Sequence, residues 1–119
     1  MCLFDAYILF IFFRKGGDFM AILERKYQSK LIRKLKNMFP GCIILKNDPN
    51  YLQGFPDLTF LYGKFWAILE TKRSPDANKQ ANQEYYVEHL NNMSFSRFIC
   101  PENEKEVLHD LEQALRSRR

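Results

Sequence analysis

The 119-residue sequence has little that would staple, coordinate or anchor it. Its three cysteines, Cys2, Cys42 and Cys100, are odd in number and far apart. There is no CxxC pair, and the two histidines, His89 and His109, stand alone. Neither a disulfide framework nor a zinc site is expected, and a reducing, cytoplasmic setting is the default. Five glycines and five prolines are too few for a collagen-like or low-complexity chain. No apolar run approaches the roughly 20 residues that span a bilayer, and Ala6 to Phe13 is the longest. No membrane partner is expected.

What is present describes an ordinary globular chain. Hydrophobic residues make up 46% and charged residues 27%, and this length suits one domain burying roughly two-thirds of its unfolded surface. Eighteen Lys and Arg against 14 Asp and Glu leave a net charge of +4. That mildly favours a polyanionic partner, although such a charge also serves solubility.

Residues 1–19 do not read like the rest. Arg14 and Lys15 follow the apolar run, whereas a signal peptide carries its charge ahead of it, and small residues for a cleavage site are lacking. Lys15-Gly16-Gly17-Asp18 can be encoded by AAA GGA GGT GAT, which contains a bacterial ribosome-binding sequence just upstream of the Met20 codon. The expectation is that translation starts at Met20. Residues 1–19 would then be an upstream extension, or else an arm outside the core, with 20–119 as the single domain. The intact mass of protein made from the native message decides this.

From Met20 to Phe39, Leu23, Tyr27, Leu31, Leu35 and Phe39 recur every four residues, widened by Ile32 and Met38, and predict an amphipathic helix that Pro40-Gly41 stops. Cys42 to Leu45 is β-prone, and a polar loop follows. Asp57 to Tyr62 and Lys64 to Lys72, joined at Gly63, predict a hairpin. Phe65 to Leu69 is apolar at consecutive positions, which marks a central strand covered on both faces. A helix from Ser74-Pro75-Asp76 to about Asn92, a strand from Ser94 to Cys100 and a last helix opening at Pro101-Glu102 complete the order αβββαβα. This is an α/β chain with a mixed sheet flanked by helices.

Acids at the end of an apolar strand are costly unless they are paired or bind metal. Glu70 and Lys72 alternate, so both emerge on one face where that strand leaves the core. If Gly63 and Lys64 form a two-residue turn, Tyr62 pairs with Phe65 and Asp57 sits opposite Glu70. Opposed residues have Cβ atoms roughly 4.5–5.5 Å apart. Two carboxylates that close repel one another and invite a hard divalent cation. A three-residue loop would break this arrangement.

Gly54-Phe55-Pro56-Asp57 followed by Glu70-Thr71-Lys72 resembles the PD-(D/E)XK nuclease superfamily, and the short layout with a glutamine-bearing helix looks most like its VRR-NUC branch in free-standing bacterial or phage form. The resemblance covers about Glu24 to Leu111. It implies a restriction-endonuclease-like αβββαβ core with an extra C-terminal helix. In that reading Asp57 and Glu70, with the backbone carbonyl of Thr71, bind Mg²⁺ or Mn²⁺, and Lys72 orients the attacking water. A lone ExK means little, since about 0.7 copies arise by chance at these frequencies, and Glu24-Arg25-Lys26 is a second copy, read as a decoy in a basic helix. The context of PD, tight turn and apolar strand sets Glu70-Thr71-Lys72 apart.

The resemblance also implies a glutamine on the following helix, Gln83 or alternatively Gln80, each as readily part of a solvated polar face. Glu24 matches the family's early glutamate, a metal contact, against the plain reading of an i,i+4 neighbour of Gln28. Lys26, Lys30 and Arg33 of the first helix, with Arg73 and Lys79, are candidates for backbone phosphates. Tyr51 and Phe55, in the loop before Asp57, are candidates to touch nucleic acid. The implied activity is metal-dependent, structure-selective DNA cleavage by a homodimer similar to Holliday-junction resolvases. A flap or nicking nuclease of the same fold, a catalytically silent nucleic-acid-binding module and a structural protein are the alternatives.

Overall fold

The structure, a computed structural model, describes residues 19–117. Helix α1 (Phe19–Met38) leads into strand β1 (Ile43–Lys46), then β2 (Leu58–Tyr62) and β3 (Phe65–Thr71). Helix α2 (Gln83–Met93), strand β4 (Ser96–Ile99) and helix α3 (Glu104–Ser117) follow. The strands form one sheet in the order β1-β2-β3-β4, antiparallel except for the parallel β3–β4 pair. A parallel neighbour needs a crossover, and α2 supplies it. The described part is thus α/β, with three helices on a mixed four-stranded sheet.

The hairpin fixes the register. Tyr62 pairs with Phe65, so Gly63-Lys64 is a two-residue turn. Gly63 adopts φ 61°, the left-handed conformation that tight hairpin turns demand at their first central residue. Leu58 then faces Leu69, and one step further along the same register sets Asp57 across from Glu70.

Alternation along the strands sends Leu58, Phe60, Phe65, Ala67 and Leu69 into one cluster with Tyr27, Leu31 and Leu35 of α1 and Val107, Leu111 and Leu115 of α3. Phe39 closes it edge-on against Phe60, with ring centroids 5.3 Å apart. Fully burying an aliphatic or aromatic side chain of this kind contributes about 1.5–3 kcal/mol. Tyr27 and Lys34 both donate to the Glu104 carboxylate, at 2.9 and 2.5 Å, tying α1 to the start of α3. Burial, then the neighbouring Glu104, pushes the Tyr27 hydroxyl above its ordinary pKa. Val87 and Leu90 of α2 are buried outside this cluster, where α2 packs on β3 and β4.

The structure corrects several boundaries. The helix expected from Ser74 begins only at Gln83. Ser74 donates its hydroxyl to Asp76 and accepts from Arg73 instead of capping a helix. The Asn78 carbonyl is held by the Lys72 ammonium, which keeps that stretch out of a helical ladder. The last helix starts at Glu104 rather than Pro101, because Asn103 binds back to the Cys100 N–H and the Phe98 carbonyl. On α1, Ile22 is buried in place of Leu23, and Met38 is exposed rather than part of the stripe. β1 and β2 each begin one residue later than expected. Of the 1–19 segment read as separate, Phe19 belongs to α1 and the remainder lies outside the described residues. Among the described residues, no helix is long and apolar enough to cross a membrane.

Candidate active site

The site forms where β3 runs out of apolar residues. Glu70, Thr71 and Lys72 are all buried although the strand has left the hydrophobic cluster. Asp57 enters from just before β2. Its backbone N–H donates to Glu70 Oε1 at 3.2 Å. Its carboxylate receives the Thr71 N–H at 3.1 Å and the Thr71 hydroxyl at 2.5 Å. The register places these two carboxyl groups side by side at one end of the sheet.

Neighbouring elements lock each carboxylate. From α2, Gln83 Nε2 donates to Glu70 Oε2 at 3.1 Å, while Gln83 Oε1 accepts the Gln80 N–H at 2.8 Å. Gln83 is buried and Gln80 is exposed, so it is the Gln83 side chain that meets Glu70. From α1, Gln28 Nε2 donates to Asp57 Oδ2 at 3.1 Å. Lys72 Nζ lies 3.6 Å from Glu70 Oε2 and donates to the Asn78 carbonyl at 3.0 Å. Its buried ammonium thus has one charged and one neutral partner, as a buried charge requires.

The electrostatics of the pair are opposed to ionisation. Burial, and then the charge of Asp57, pushes the Glu70 carboxyl up to about 8, with Lys72 pulling the other way. Asp57 is also raised by burial, against hydrogen bonds from Thr71 and Gln28 and with a small push from the Glu24 charge. Two adjacent carboxylates raised by desolvation, Glu70 by the Asp57 charge as well, are a frequent signature of functional sites.

These groups open into a cleft of about 450 Å³ whose wall includes Glu24, Arg25, Gln28 and Lys46. Glu24 reaches that wall without completing a three-carboxylate cluster with Asp57 and Glu70. Among the described residues, no three His, Cys, Asp or Glu side chains gather to hold a metal. A second hollow of about 380 Å³ on the far side of Lys72 is lined by Arg73, Asn78 and Gln80. Lys26, Lys30 and Arg33 are exposed on α1 and do not line the cleft. Lys79 sits over the Phe98 ring at 4.7 Å and pairs with Glu84 at 3.6 Å, so it is engaged away from the carboxylates.

Sequence reasoning missed four contributors. Gln28 entered only as the helical neighbour of Glu24, although a residue four positions on along one helix face was the available signal. The Thr71 side chain was overlooked because the expected role fell on its backbone carbonyl. On the cleft wall, Lys46 carried no motif, and Arg25 was passed over as the middle residue of the Glu24-Arg25-Lys26 decoy. Comparison with known protein families, characterised proteins and solved structures finds no match to this chain.

Proposed function

We propose that this chain is a divalent-metal-dependent, structure-selective DNA endonuclease of the PD-(D/E)XK type, with a restriction-endonuclease-like core similar to the VRR-NUC branch. The observation that carries the reading is the convergence of buried Glu70 and Lys72, at the end of the central strand, with half-buried Asp57 from just before β2, all three hydrogen-bonded or paired. Their donor set fits Mg²⁺ or Mn²⁺. Two carboxylates that resist joint ionisation offer oxygen ligands whose charge a hard cation would offset, and Mg²⁺ keeps several waters rather than requiring an all-protein cage. Asp57 and Glu70 would hold the ion, with the Thr71 carbonyl as a third protein ligand, and Glu24, on the cleft wall, would contact the ion or its waters.

When bound, the ion supplies Lewis-acid polarisation of the scissile phosphate and a more acidic water. The protein's own groups do the rest. Lys72 sets the direction of the attacking water and stabilises the negative charge that grows on the phosphoryl oxygens. Gln83 fixes the orientation of Glu70, and Gln28 with Thr71 fixes that of Asp57, so that no carboxylate must reorganise during the reaction. Arg25, Lys46 and Arg73 meet flanking phosphates, a sequence-blind and salt-dependent contact. A homodimer sets two such sites on opposed strands of a branched DNA.

The test is cleavage of end-labelled four-way junction, flap and linear duplex DNA with Mg²⁺ or Mn²⁺. Paired symmetric cuts in the junction, lost in Glu70→Ala, are the expected result. Flap or nicking activity lost in the variant keeps the chemistry and discards the resolvase. Binding without cutting in either metal discards the enzyme in favour of a silent binding module.

A further inference from the structure

Beside the cleft, and sharing Lys46, Asn47 and Phe55 with its wall, lies another hollow of about 460 Å³. Its chemistry is different. Beside Pro49, Gly54 and Phe55 the cleft is lined by carboxylates, amides and cations, whereas Leu45, Tyr51, Leu52 and Phe55 give this hollow a mainly apolar lining, with Asp48 and the shared Lys46 and Asn47 as its polar part. Three of the four are open to solvent: Tyr51 is 88% exposed, Leu45 50% and Leu52 40%. A cluster of apolar side chains left in water at the lip of a polar site marks a binding surface. The volume falls within the roughly 300–1,000 Å³ usual for small-ligand pockets.

The loop that carries Tyr51 is pinned. Asp48 turns its carboxylate onto the Asn50 N–H at 2.8 Å, and its carbonyl accepts the Tyr51 N–H at 3.3 Å. Asn47 donates to the Pro56 carbonyl at 2.8 Å and accepts the Thr59 hydroxyl at 2.9 Å. Phe55 packs edge-on against Tyr86 at 5.6 Å. Gly54, at φ 86°, backs so closely onto the residues just before α2 that a Cβ there would lie 2.5 Å from the Ala81 carbonyl oxygen. The loop backbone and Phe55 are therefore placed before any ligand arrives, which lowers the cost of binding.

We propose that this hollow receives an unpaired nucleobase of the strand being cut, next to the scissile phosphate. The inference rests on the endonuclease reading of the cleft and extends it to the class of substrate. In a duplex the base faces are stacked away and only edges and backbone reach a protein. An apolar hollow with an exposed tyrosine, contiguous with the phosphate-cleaving cleft, takes the face of a base that has no partner. Lys46, in the shared wall, lies between the two compartments where the linking phosphate must pass. Flaps, single-stranded tails and opened junctions have such a nucleotide at the cut, and continuous duplex has none.

The test uses DNA with 2-aminopurine as the unpaired nucleotide beside a flap junction, and the same label inside a continuous duplex. Both are bound to the full chain carrying Glu70→Gln, so that nothing is cut. The flap is expected to bind about tenfold more tightly than the duplex, with its fluorescence quenched by stacking. Adding Tyr51→Ala abolishes both the preference and the quenching, and Tyr51→Phe retains them; an 88% exposed side chain can be changed without endangering the fold. Equal affinity for flap and duplex, or a preference that survives Tyr51→Ala, overturns the proposal. Wild-type cleavage with Mg²⁺ run in parallel separates the two readings. Cutting of duplex and flap at equal rates overturns the hollow alone. Quenching lost in Tyr51→Ala, with no cleavage of any DNA by the wild type, upholds the hollow and overturns the endonuclease.

Discussion

The two ends of strand β3 are built on opposite principles. From Phe65 to Leu69 nearly every side chain is apolar and buried, and the core-facing ones join a cluster with α1 and α3. From Glu70 to Lys72 the same degree of burial encloses two charged side chains and a hydroxyl. The first part stabilises the fold by removing hydrocarbon from water. The second works against it, because desolvated carboxylates set beside one another resist ionisation. The contrast marks where the strand passes from stabilising the fold to holding the proposed site.

Substitutions should separate these ends cleanly. Lys72→Met keeps the volume and removes the ammonium, so kcat for DNA cleavage should fall about 10³-fold, the scale on which single charge-stabilising donors act, while the Mg²⁺-dependent binding of DNA persists. Leu31→Ala does the reverse. That side chain is fully buried, and its loss should cost about 3 kcal/mol in urea unfolding with the cleavage rate per folded molecule unchanged. Gly54→Ala probes the seam between the two regions. Its positive φ and the 2.5 Å approach to Ala81 should make it destabilising by about 1–3 kcal/mol, and an unfolding curve matching the wild type would contradict that.

The smallest effect is on pH. Glu70 has a folded pKa of about 8, above its unfolded value, so the native chain binds this proton more tightly than the unfolded one does. Its contribution is fully present below about pH 4.3 and is lost as pH rises through about 8; Asp57, also raised, adds the same sign. Metal-free protein should therefore melt at a lower temperature at pH 9 than at pH 6. Glu70→Gln should flatten that difference, and an unchanged slope would show the carboxyl to be unperturbed.

How much of this was legible beforehand follows from the range of each signal. The hairpin and its turn could be read because Gly63 and the alternation on either side act locally, and the register that opposes Asp57 to Glu70 follows from them. The central position of β3 was visible in its continuous apolar run. The start of α2 was not, since Ser74-Pro75-Asp76 carries ordinary helix-start residues, and the stretch is held outside the helix by the Asn78 carbonyl on Lys72, the Gln80 N–H on Gln83 and the positive φ of Asn82. The link from Gln28 to Asp57 spans 29 residues, and the periodicity of α1 shows which face is apolar without showing which polar residue touches the sheet end. The hollow under Tyr51 depends on how the loop folds back against β1, which no local pattern encodes.

The most direct test of the central claim is the single-turnover cleavage rate of Glu70→Gln beside the wild type, in Mg²⁺, on the DNA the wild type cuts best. This change keeps the size of the side chain and removes the charge, and turns one of the two oxygens that accept from Asp57 and Gln83 into an amide donor. The account predicts a loss of about 10³-fold or more in a chain that remains folded. A rate within a few-fold of the wild type would contradict it and would leave the charged end of β3 without a catalytic role.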